Sequence, residues 1–266
     1  MYSNYNFYFR FPKKINIKII FEYFSHFIIT VNFVITKNNF FMFIENELEN
    51  EKESYFIKLK INKNNFIEYY IDEDYLIKNN NFISFKLNIY EILNNLKFSK
   101  EFDLLLYYTK SCNLYIASCF NNNIKTKSFL QENPIKLKFF NNKILFQNIN
   151  DDEFIKIESK NFINNKSIFN NFTDEFLILN FTKNNNLIIS DKNEKNIFSI
   201  DYINVNNINI NKRIDFLKKY MIGLNKIINI SNFIFVKIDN EYIIFKLQLN
   251  IIPNFNLGYI YTYFKF

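Results

Sequence analysis

The chain has 266 residues, 48% of them hydrophobic and 20% aromatic, which is enough apolar material for a sizeable core and excludes disorder of the whole chain. Its formal net charge of +7 favours contact with a polyanion such as nucleic acid, although a codon bias towards lysine would give the same charge. The single histidine, His26, excludes a site built from several histidines, and the two cysteines are interpreted as reduced thiols.

The start of the chain predicts a strand followed by a helix. The strand is expected over Tyr5–Phe11, and the helix over roughly residues 14–29, where apolar residues recur at helical spacing. The apolar stripe of this helix consists of Ile17, Ile20, Phe21, Phe24, Phe27 and Ile28. The most hydrophobic stretch of the chain, residues 27–36, is too short to span a bilayer, so no membrane segment is expected.

Three further helices are predicted along the chain. The second has one apolar face formed by Ile89, Ile92, Leu93 and Leu96. The third, at about 160–171, is less regular because its many asparagines favour caps and turns. In the fourth, Ile214, Leu217, Met221 and Leu224 lie on one face. Gly223 is expected to help end this last helix.

Most of the remaining chain predicts short β-strands, because runs of Ile, Phe, Tyr and Val are punctuated by Asn and Asp turns. In the first half the strands are expected at Phe40–Ile44, Tyr55–Ile61, Phe82–Leu87, Phe102–Tyr108 and Leu114–Ser118. In the second half they are expected at Ile135–Phe139, Glu175–Phe181, Ile197–Tyr202, Ile230–Lys237, Tyr242–Leu249 and Leu257–Phe264.

This order of elements, one helix followed by several antiparallel strands and repeated four times, predicts an internally duplicated α+β chain. A polar stretch with few large apolar residues lies midway and is interpreted as a connector. The predicted organisation is an N-terminal domain over 1–119, an interdomain connector over 120–134 and a C-terminal domain over 135–266.

Residue patterns for catalysis are absent from the sequence. Gly223 and Gly258 are the only glycines, which excludes the glycine-rich loops that hold phosphates or dinucleotides. The acidic runs Asp72–Asp74 and Asp151–Glu153 have the residue types that bind Mg²⁺, but both are expected to be solvated turns. We therefore expect no enzyme activity, no cofactor and no metal site.

Several stretches together resemble the eukaryotic sliding-clamp family, and within it the Hus-one subunit of the nine-one-one checkpoint clamp. In the first half these are FYFRF, NFIEYYIDEDYLIKNNNFISFKLNIYEILNNLK and DLLLYYTKSCNLYIAS. In the second half they are ENPIKLKF, SKNFINNKSIFNNFTDEFLILNFTKNNNLIISD, ININKRIDFLKKYMIGL and LGYIYTYF. The matches are patterns of apolar and polar residues that cover nearly the whole chain.

The resemblance implies a sliding-clamp fold of two duplicated domains, each with two helices on one face of antiparallel sheets. The helices would line a central hole, where basic residues neutralise duplex phosphates without reading the bases. The candidate DNA-facing residues are Lys14, Lys18, Lys97, Lys160, Lys166, Lys212, Arg213, Lys218 and Lys219. The candidate partner-binding residues of the connector are Ile124, Phe129 and Leu130.

The resemblance also implies partners and a location. These are double-stranded DNA, two further clamp subunits of the Rad-nine and Rad-one kinds, an ATP-driven clamp loader and the nucleus, with no membrane partner. One alternative is a homotrimeric clamp that acts as a polymerase processivity factor. A second alternative is a basic β-rich module that binds an anionic membrane or a protein partner through the same lysines. The candidate lysines could equally be solubilising groups on exposed helix faces.

Overall fold

The computed structural model describes nine stretches of the chain: 2–12, 17–46, 54–96, 103–120, 123–130, 153–163, 168–204, 210–252 and 255–266. The chain divides into two compact units. Unit 1 consists of Met1–Ile44, Lys58–Gln147 and Ile251–Gly258. Unit 2 consists of Glu45–Ile57, Asn148–Asn250 and Tyr259–Phe266. The predicted domain limits at 119 and 135 stay a prediction, because 131–152 lies outside the described residues.

The first part of the chain contains nine described strands and three described α-helices. They are β1 (Tyr5–Phe11), α1 (Ile17–Ser25), β2 (Thr30–Thr36), β3 (Asn39–Asn46), β4 (Tyr55–Asn62), β5 (Glu68–Ile71), α2 (Glu73–Lys78), β6 (Phe82–Asn88), α3 (Ile89–Asn95), β7 (Asp103–Thr109), β8 (Leu114–Phe120) and β9 (Asn123–Leu130). A 3₁₀ turn, Lys63–Asn65, lies between β4 and β5.

The second part contains eight described strands and three described α-helices in a similar order. They are β10 (Ile155–Glu158), α4 (Ser159–Ile163), α5 (Ile168–Asn171), β11 (Phe176–Phe181), β12 (Asn186–Ser190), β13 (Ile197–Asp201), β14 (Lys212–Leu217), α6 (Lys218–Ile227), β15 (Phe233–Ile238), β16 (Tyr242–Ile252) and β17 (Phe255–Lys265). A 3₁₀ turn, Ile228–Ile230, follows α6.

Strand pairing confirms the predicted duplication. In unit 1 the strands β5, β1, β7, β8 and β9 are neighbours in that order, and β4, β3, β2 and β6 form a second row. In unit 2 the orders β10-β15-β16-β17 and β13-β12-β11-β14 correspond to these two rows, and an isolated bridge between Lys156 and Ile203 takes the place of β5. The paired strands described within each unit run antiparallel, as the sequence predicted.

The core of unit 1 lies between its two rows of strands. Phe7, Phe9 and Phe11 point to the same side of β1 and are at most 2% exposed. Phe7 stacks on Phe85 of β6 with ring centroids 5.8 Å apart. The helices α1 and α3 contact each other, and their apolar residues line the same interior as residues of β7, β8 and β9. Burial of these large side chains, each worth about 1.5–3 kcal/mol, is what holds the helices on the sheet.

The first helix is shorter than predicted. It ends at Ser25, and the amide of Phe27 donates to the carbonyl of Phe24, so the chain leaves the α-helical bonding pattern there. Thr30–Thr36 then forms β2, a strand that the prediction did not include, because the apolar residues around Asn32 do not alternate regularly with polar ones. Both faces of its centre are buried, with Val31–Ile35 all at 9% exposure or less.

The fourth helix begins later and ends later than predicted. Lys212–Leu217 is the strand β14, in which Ile214 and Phe216 are buried while Arg213 and Asp215 are exposed, and this two-residue period pairs it with β11. Gly223 does not end α6, which continues to Ile227; the described glycine with a positive φ is Gly258. Ile214 lies two positions before Phe216, as in a strand, and also at helical spacing from Leu217, Met221 and Leu224, which is why the pattern misplaced the helix start.

The third predicted helix is two short helices, α4 and α5; their rings Phe162 and Phe169, and Phe172 directly after α5, are each 1% exposed. Of the connector predicted over 120–134, residues 123–130 form β9 and pair with β8, so this stretch is a strand of unit 1. Its polar residues suit an end strand, and β9 is the end strand of this row among the described residues. The strand predicted at Ile135–Phe139 lies outside the described residues.

Candidate nucleic-acid interface

The helix α6 of unit 2 has one buried and one basic face. Tyr220, Met221, Leu224 and Ile227 are at most 2% exposed. The residues Lys219, Ile222 and Lys226 recur three and four positions apart on the opposite side, where both lysines are exposed. No acidic residue lies in this helix, so its solvent face is positively charged along its length.

Positive charge is concentrated at the start of α6. Lys218 and Lys219 occupy the first turn, and no side chain caps the helix there. The helix dipole adds the equivalent of about half a positive charge at this end, so each cation there costs roughly 0.3–1 kcal/mol of stability. An anion such as a DNA phosphate would offset this cost, because the N-terminus of a helix is a favourable place for negative charge.

The predicted basic residues of α4 and α6 have different surroundings. Lys218 is half-buried and its Nζ donates to the carbonyl oxygen of Phe172, which ties α6 to the end of α5. Lys219 is exposed, with Nζ 5.5 Å from the ring centroid of Tyr220. Lys160 on α4 is 71% exposed and its Nζ lies 2.7 Å from the Glu158 carboxylate. Such an exposed ion pair is worth about 0–1 kcal/mol and would yield readily to a phosphate.

Lys212 and Arg213 lie on the strand β14, and their prediction as helix residues was wrong. The Nζ of Lys212 donates to the carbonyl oxygen of Asp239 at 3.1 Å and lies 4.5 Å from the ring centroid of Phe266. Arg213 Nη1 lies 3.9 Å from the carboxylate of Glu194, and both side chains are exposed. These two cations therefore do not belong to the basic face of α6.

The helices of unit 1 carry less positive charge. Lys18 on α1 lies 3.6 Å from Glu22, one helical turn away, so the two charges compensate each other. On α3 the exposed residues include Tyr90, which is 52% exposed, and Glu91. Within Ile89–Asn95 there is no lysine or arginine. The predicted residues Lys14, Lys97 and Lys166 lie outside the described part of the chain.

Lys226 is a candidate that the sequence prediction missed. The prediction ended the helix near Gly223, although Lys219 and Lys226 are seven positions apart and therefore share a face of any helix that continues past the glycine. The spacing of Lys219 and Lys226 could have identified Lys226 from the sequence if the helix had been predicted to continue past Gly223.

The three connector candidates have different positions on β9. Ile124 is 51% exposed, whereas Leu130 is 1% exposed and lines the apolar interior of unit 1 with Phe11 and Ile17. Leu130 therefore offers no surface to a partner, which corrects its prediction as a contact residue. Phe129 lies on the same strand opposite Tyr115, and its side chain is outside what the structure describes.

The first acidic run has a structural role instead of forming a solvated turn. The carboxylate of Asp72 accepts from the amide of Tyr75 at 3.0 Å and caps α2, a helix that the sequence analysis missed. This hydrogen bond from the backbone amide of Tyr75, with a contribution from Lys110 at 3.2 Å, holds the pKa of Asp72 below its usual value. Of the second run, Glu153 is described and forms an ion pair with Lys237.

The described residues contain neither a cluster of metal ligands nor a membrane-spanning helix. No group of three or more His, Cys, Asp and Glu side chains is arranged there to hold a metal ion. Among the same residues, no helix has the length and apolar character needed to cross a membrane. His26 is half-buried with its ring edge-on to Phe27, at 5.2 Å between centroids.

The whole chain is similar to solved structures of sliding clamps. Proliferating cellular nuclear antigen from Entamoeba histolytica matches with a TM-score of 0.73 and 14% identity, over 98% of both chains. A PCNA2–PCNA3 complex from Sulfolobus tokodaii matches with a TM-score of 0.72 and 13% identity, over 97% of this chain and 98% of that chain. No protein-family model and no curated protein sequence matches. The chain has the sliding-clamp fold, which confirms the predicted fold class.

Proposed function

We propose that the chain is one subunit of a ring-shaped clamp that encircles duplex DNA, with the helices of its two units turned towards the DNA. The observation that carries this proposal is the sliding-clamp fold combined with the basic solvent face of α6. Lysines on a smooth helical surface neutralise phosphates without reading bases, so that a ring is held on DNA and remains free to slide. The subunit acts as a scaffold, without catalysis and without a cofactor.

The finer proposal is that this clamp is the DNA-damage checkpoint clamp. It is supported by the resemblance of the sequence stretches quoted above to the Hus-one subunit. In this proposal the ring is a heterotrimer with Rad-nine-like and Rad-one-like subunits, is opened by an ATP-driven loader, and recruits checkpoint and repair proteins in the nucleus. The competing proposal is a replicative processivity clamp made of three identical chains.

Light scattering during size-exclusion chromatography of the isolated chain separates the two kinds of clamp. A monomer that assembles only with two other subunits supports the checkpoint clamp. A stable trimer of the isolated chain contradicts it and favours the replicative clamp. Either result leaves the encircling of DNA to be tested separately.

The DNA-facing role of α6 is tested by reversing its charges in the assembled ring. Lys219→Glu combined with Lys226→Glu is expected to weaken duplex binding roughly tenfold or more and to reduce the log–log salt slope by about 2, because each lost phosphate contact removes about one unit. Fluorescence anisotropy of a labelled duplex over a salt series measures both quantities.

The matched control changes the same number of charges elsewhere in unit 2. Lys183→Glu combined with Lys195→Glu alters exposed residues of the β11–β12 turn and of the β12–β13 turn. This pair is expected to change the affinity less than threefold by long-range electrostatics, with an unchanged salt slope. Equal losses in the two double variants would remove α6 from the DNA path.

A further inference from the structure

Strand β5 leaves one edge of the five-stranded row in unit 1 unpaired among the described residues. It is the end strand of the order β5-β1-β7-β8-β9. The amide of Asp72 donates to the carbonyl of Asn6, and Tyr70 pairs with Tyr8, so the backbone groups of Tyr70 and Asp72 point towards β1. By the alternation of an antiparallel ladder, the N–H and C=O groups of Tyr69 and Ile71 point away from it.

A groove of about 370 Å³ runs beside this edge. The β2–β3 turn and the 3₁₀ turn that follows β4 contribute Lys37 and Lys63 to its lining, and α2 contributes Leu76 and Ile77. Ile77 is 66% exposed, the largest exposure among the large apolar side chains that the structure describes. The volume lies in the range of about 300–1,000 Å³ that is usual for binding sites.

The elements on both sides of the groove are held in place by hydrogen bonds. The hydroxyl of Tyr69 donates to the carbonyl of Thr36 at 2.7 Å and lies 3.0 Å from that of Asn39, which fixes β5 against the β2–β3 turn. On the other side, Asp72 caps α2 and lies 3.2 Å from Lys110. A groove built on anchored elements loses little conformational entropy when a ligand enters, which favours binding.

The charges of the groove favour an acidic ligand. Lys37 and Lys63 provide two positive charges against the single negative charge of Glu73. Lys37 and Glu73 form an ion pair of 3.1 Å, in which the side chains are 71% and 76% exposed. Because such an exposed pair contributes only about 0–1 kcal/mol, a ligand carboxylate can replace Glu73 at little cost.

We propose that this groove binds an extended segment of a protein partner, with apolar and acidic side chains, which adds to the edge of β5 as a further strand. The backbone of the segment would bond to the outward N–H and C=O groups of Tyr69 and Ile71, as in other cases of strand addition. Its apolar side chains would cover Ile77, and its carboxylates would meet Lys37 and Lys63. This site is separate from the basic face of α6 and goes beyond the proposed DNA function.

The test uses a short fluorescein-labelled peptide in which isoleucine alternates with aspartate, titrated with the full chain. Binding is expected by fluorescence anisotropy, with slower amide exchange at Tyr69 and Ile71. The same peptide with alternate backbone nitrogens methylated should bind roughly tenfold or more weakly, because each strand-pairing hydrogen bond that it lacks is worth about 1 kcal/mol. Equal affinity of the methylated peptide, or no binding of the parent peptide, overturns the proposal.

Variants separate the apolar from the charged part of the site. Ile77→Glu is expected to weaken peptide binding about tenfold through lost apolar contact and added repulsion. The control is Ile197→Glu, which changes an isoleucine of similar exposure, 58%, on β13 of unit 2 and should leave binding unchanged. If both variants fold by circular dichroism and bind the peptide equally well, the groove is not its site.

The charge preference is tested with a second peptide, in which isoleucine alternates with lysine. Replacing Lys37 and Lys63 by alanine should weaken the aspartate peptide about fivefold and strengthen the lysine peptide, because the remaining charge of the groove is that of Glu73. Tighter binding of the lysine peptide to the unchanged chain would contradict the assigned chemistry.

Discussion

The helices of the two units differ in charge although their order in the chain is the same. The described residues of α4, α5 and α6 carry four lysines and no carboxylate, whereas those of α1 and α3 carry one lysine and two glutamates. If lysine-rich codon usage alone set the charge, both units would be basic to a similar degree. Among the described residues, the basic helix surface therefore belongs to unit 2, and the proposed contact with DNA is expected to be strongest there.

A buried lysine in unit 1 shows that lysine content alone does not identify a binding surface. Lys58 on β4 is 1% exposed, and its burial, with a smaller effect of Lys60, lowers its pKa to about 7. The unfolded chain, with an ordinary lysine pKa, binds more protons than the folded chain between pH 7 and about 10. The free energy of unfolding therefore rises with pH over this window, and below pH 7 the full cost of burying the charge remains.

The largest expected effect follows from this residue. Lys58→Met should raise the free energy of unfolding on the order of 3 kcal/mol at pH 6, because it removes the charge while keeping an apolar chain of similar length. The gain should shrink as the pH rises towards 10. Urea unfolding at several pH values measures it, and a gain that is independent of pH would contradict the lowered pKa.

A smaller effect is expected from making the helices of unit 1 more like those of unit 2. Glu22→Gln combined with Glu91→Gln removes both carboxylates from α1 and α3 and leaves Lys18 without its neighbour at 3.6 Å. The assembled ring should bind duplex DNA about threefold to tenfold more tightly at low salt, since two repulsive charges are lost. No gain in affinity would show that these helices do not face the DNA.

The smallest expected effects separate stability from DNA binding within α6. Lys219→Glu removes a cation from the first turn and should raise the free energy of unfolding by about 0.3–1 kcal/mol, whereas Lys226→Glu, near the C-terminal end, should lower it by a similar amount. Both single changes should weaken DNA binding. Denaturant unfolding that shifts in the same direction for both variants would contradict the role of the helix dipole.

The fold could be predicted from sequence where one period dominated. Phe7, Phe9 and Phe11 are buried and alternate with the half-buried Tyr8 and Arg10, and Tyr5–Phe11 is a strand with the predicted bounds. The apolar residues of Lys212–Leu224 include some at strand spacing and some at helix spacing. The pairing of β14 with β11, which is distant in the chain, makes the first part of this stretch a strand. Short elements such as α2 were missed. Its capping Asp72 and the two acidic residues that follow look in sequence like an acidic turn between strands.

The candidate site could be predicted only in part. Lys160, Lys218 and Lys219 lie on helices as expected. Lys212 and Arg213 lie on the strand β14, because the last helix begins later than predicted. Leu130 is an apolar residue within a polar stretch, and this character explains its burial. The groove beside β5 has no sequence signal, because it depends on the outward backbone groups of an end strand and on turns that are distant in the chain.

Whether the chain closes a ring around DNA can be tested by comparing its release from circular and from linear DNA. The ring is assembled on a nicked circular plasmid, closed by chemical cross-linking of its subunits and washed at high salt, which removes surface-bound protein. The ring should stay on the circular plasmid and leave it when a restriction enzyme cuts the DNA to a linear form. Equal loss from circular and linear DNA would contradict encirclement.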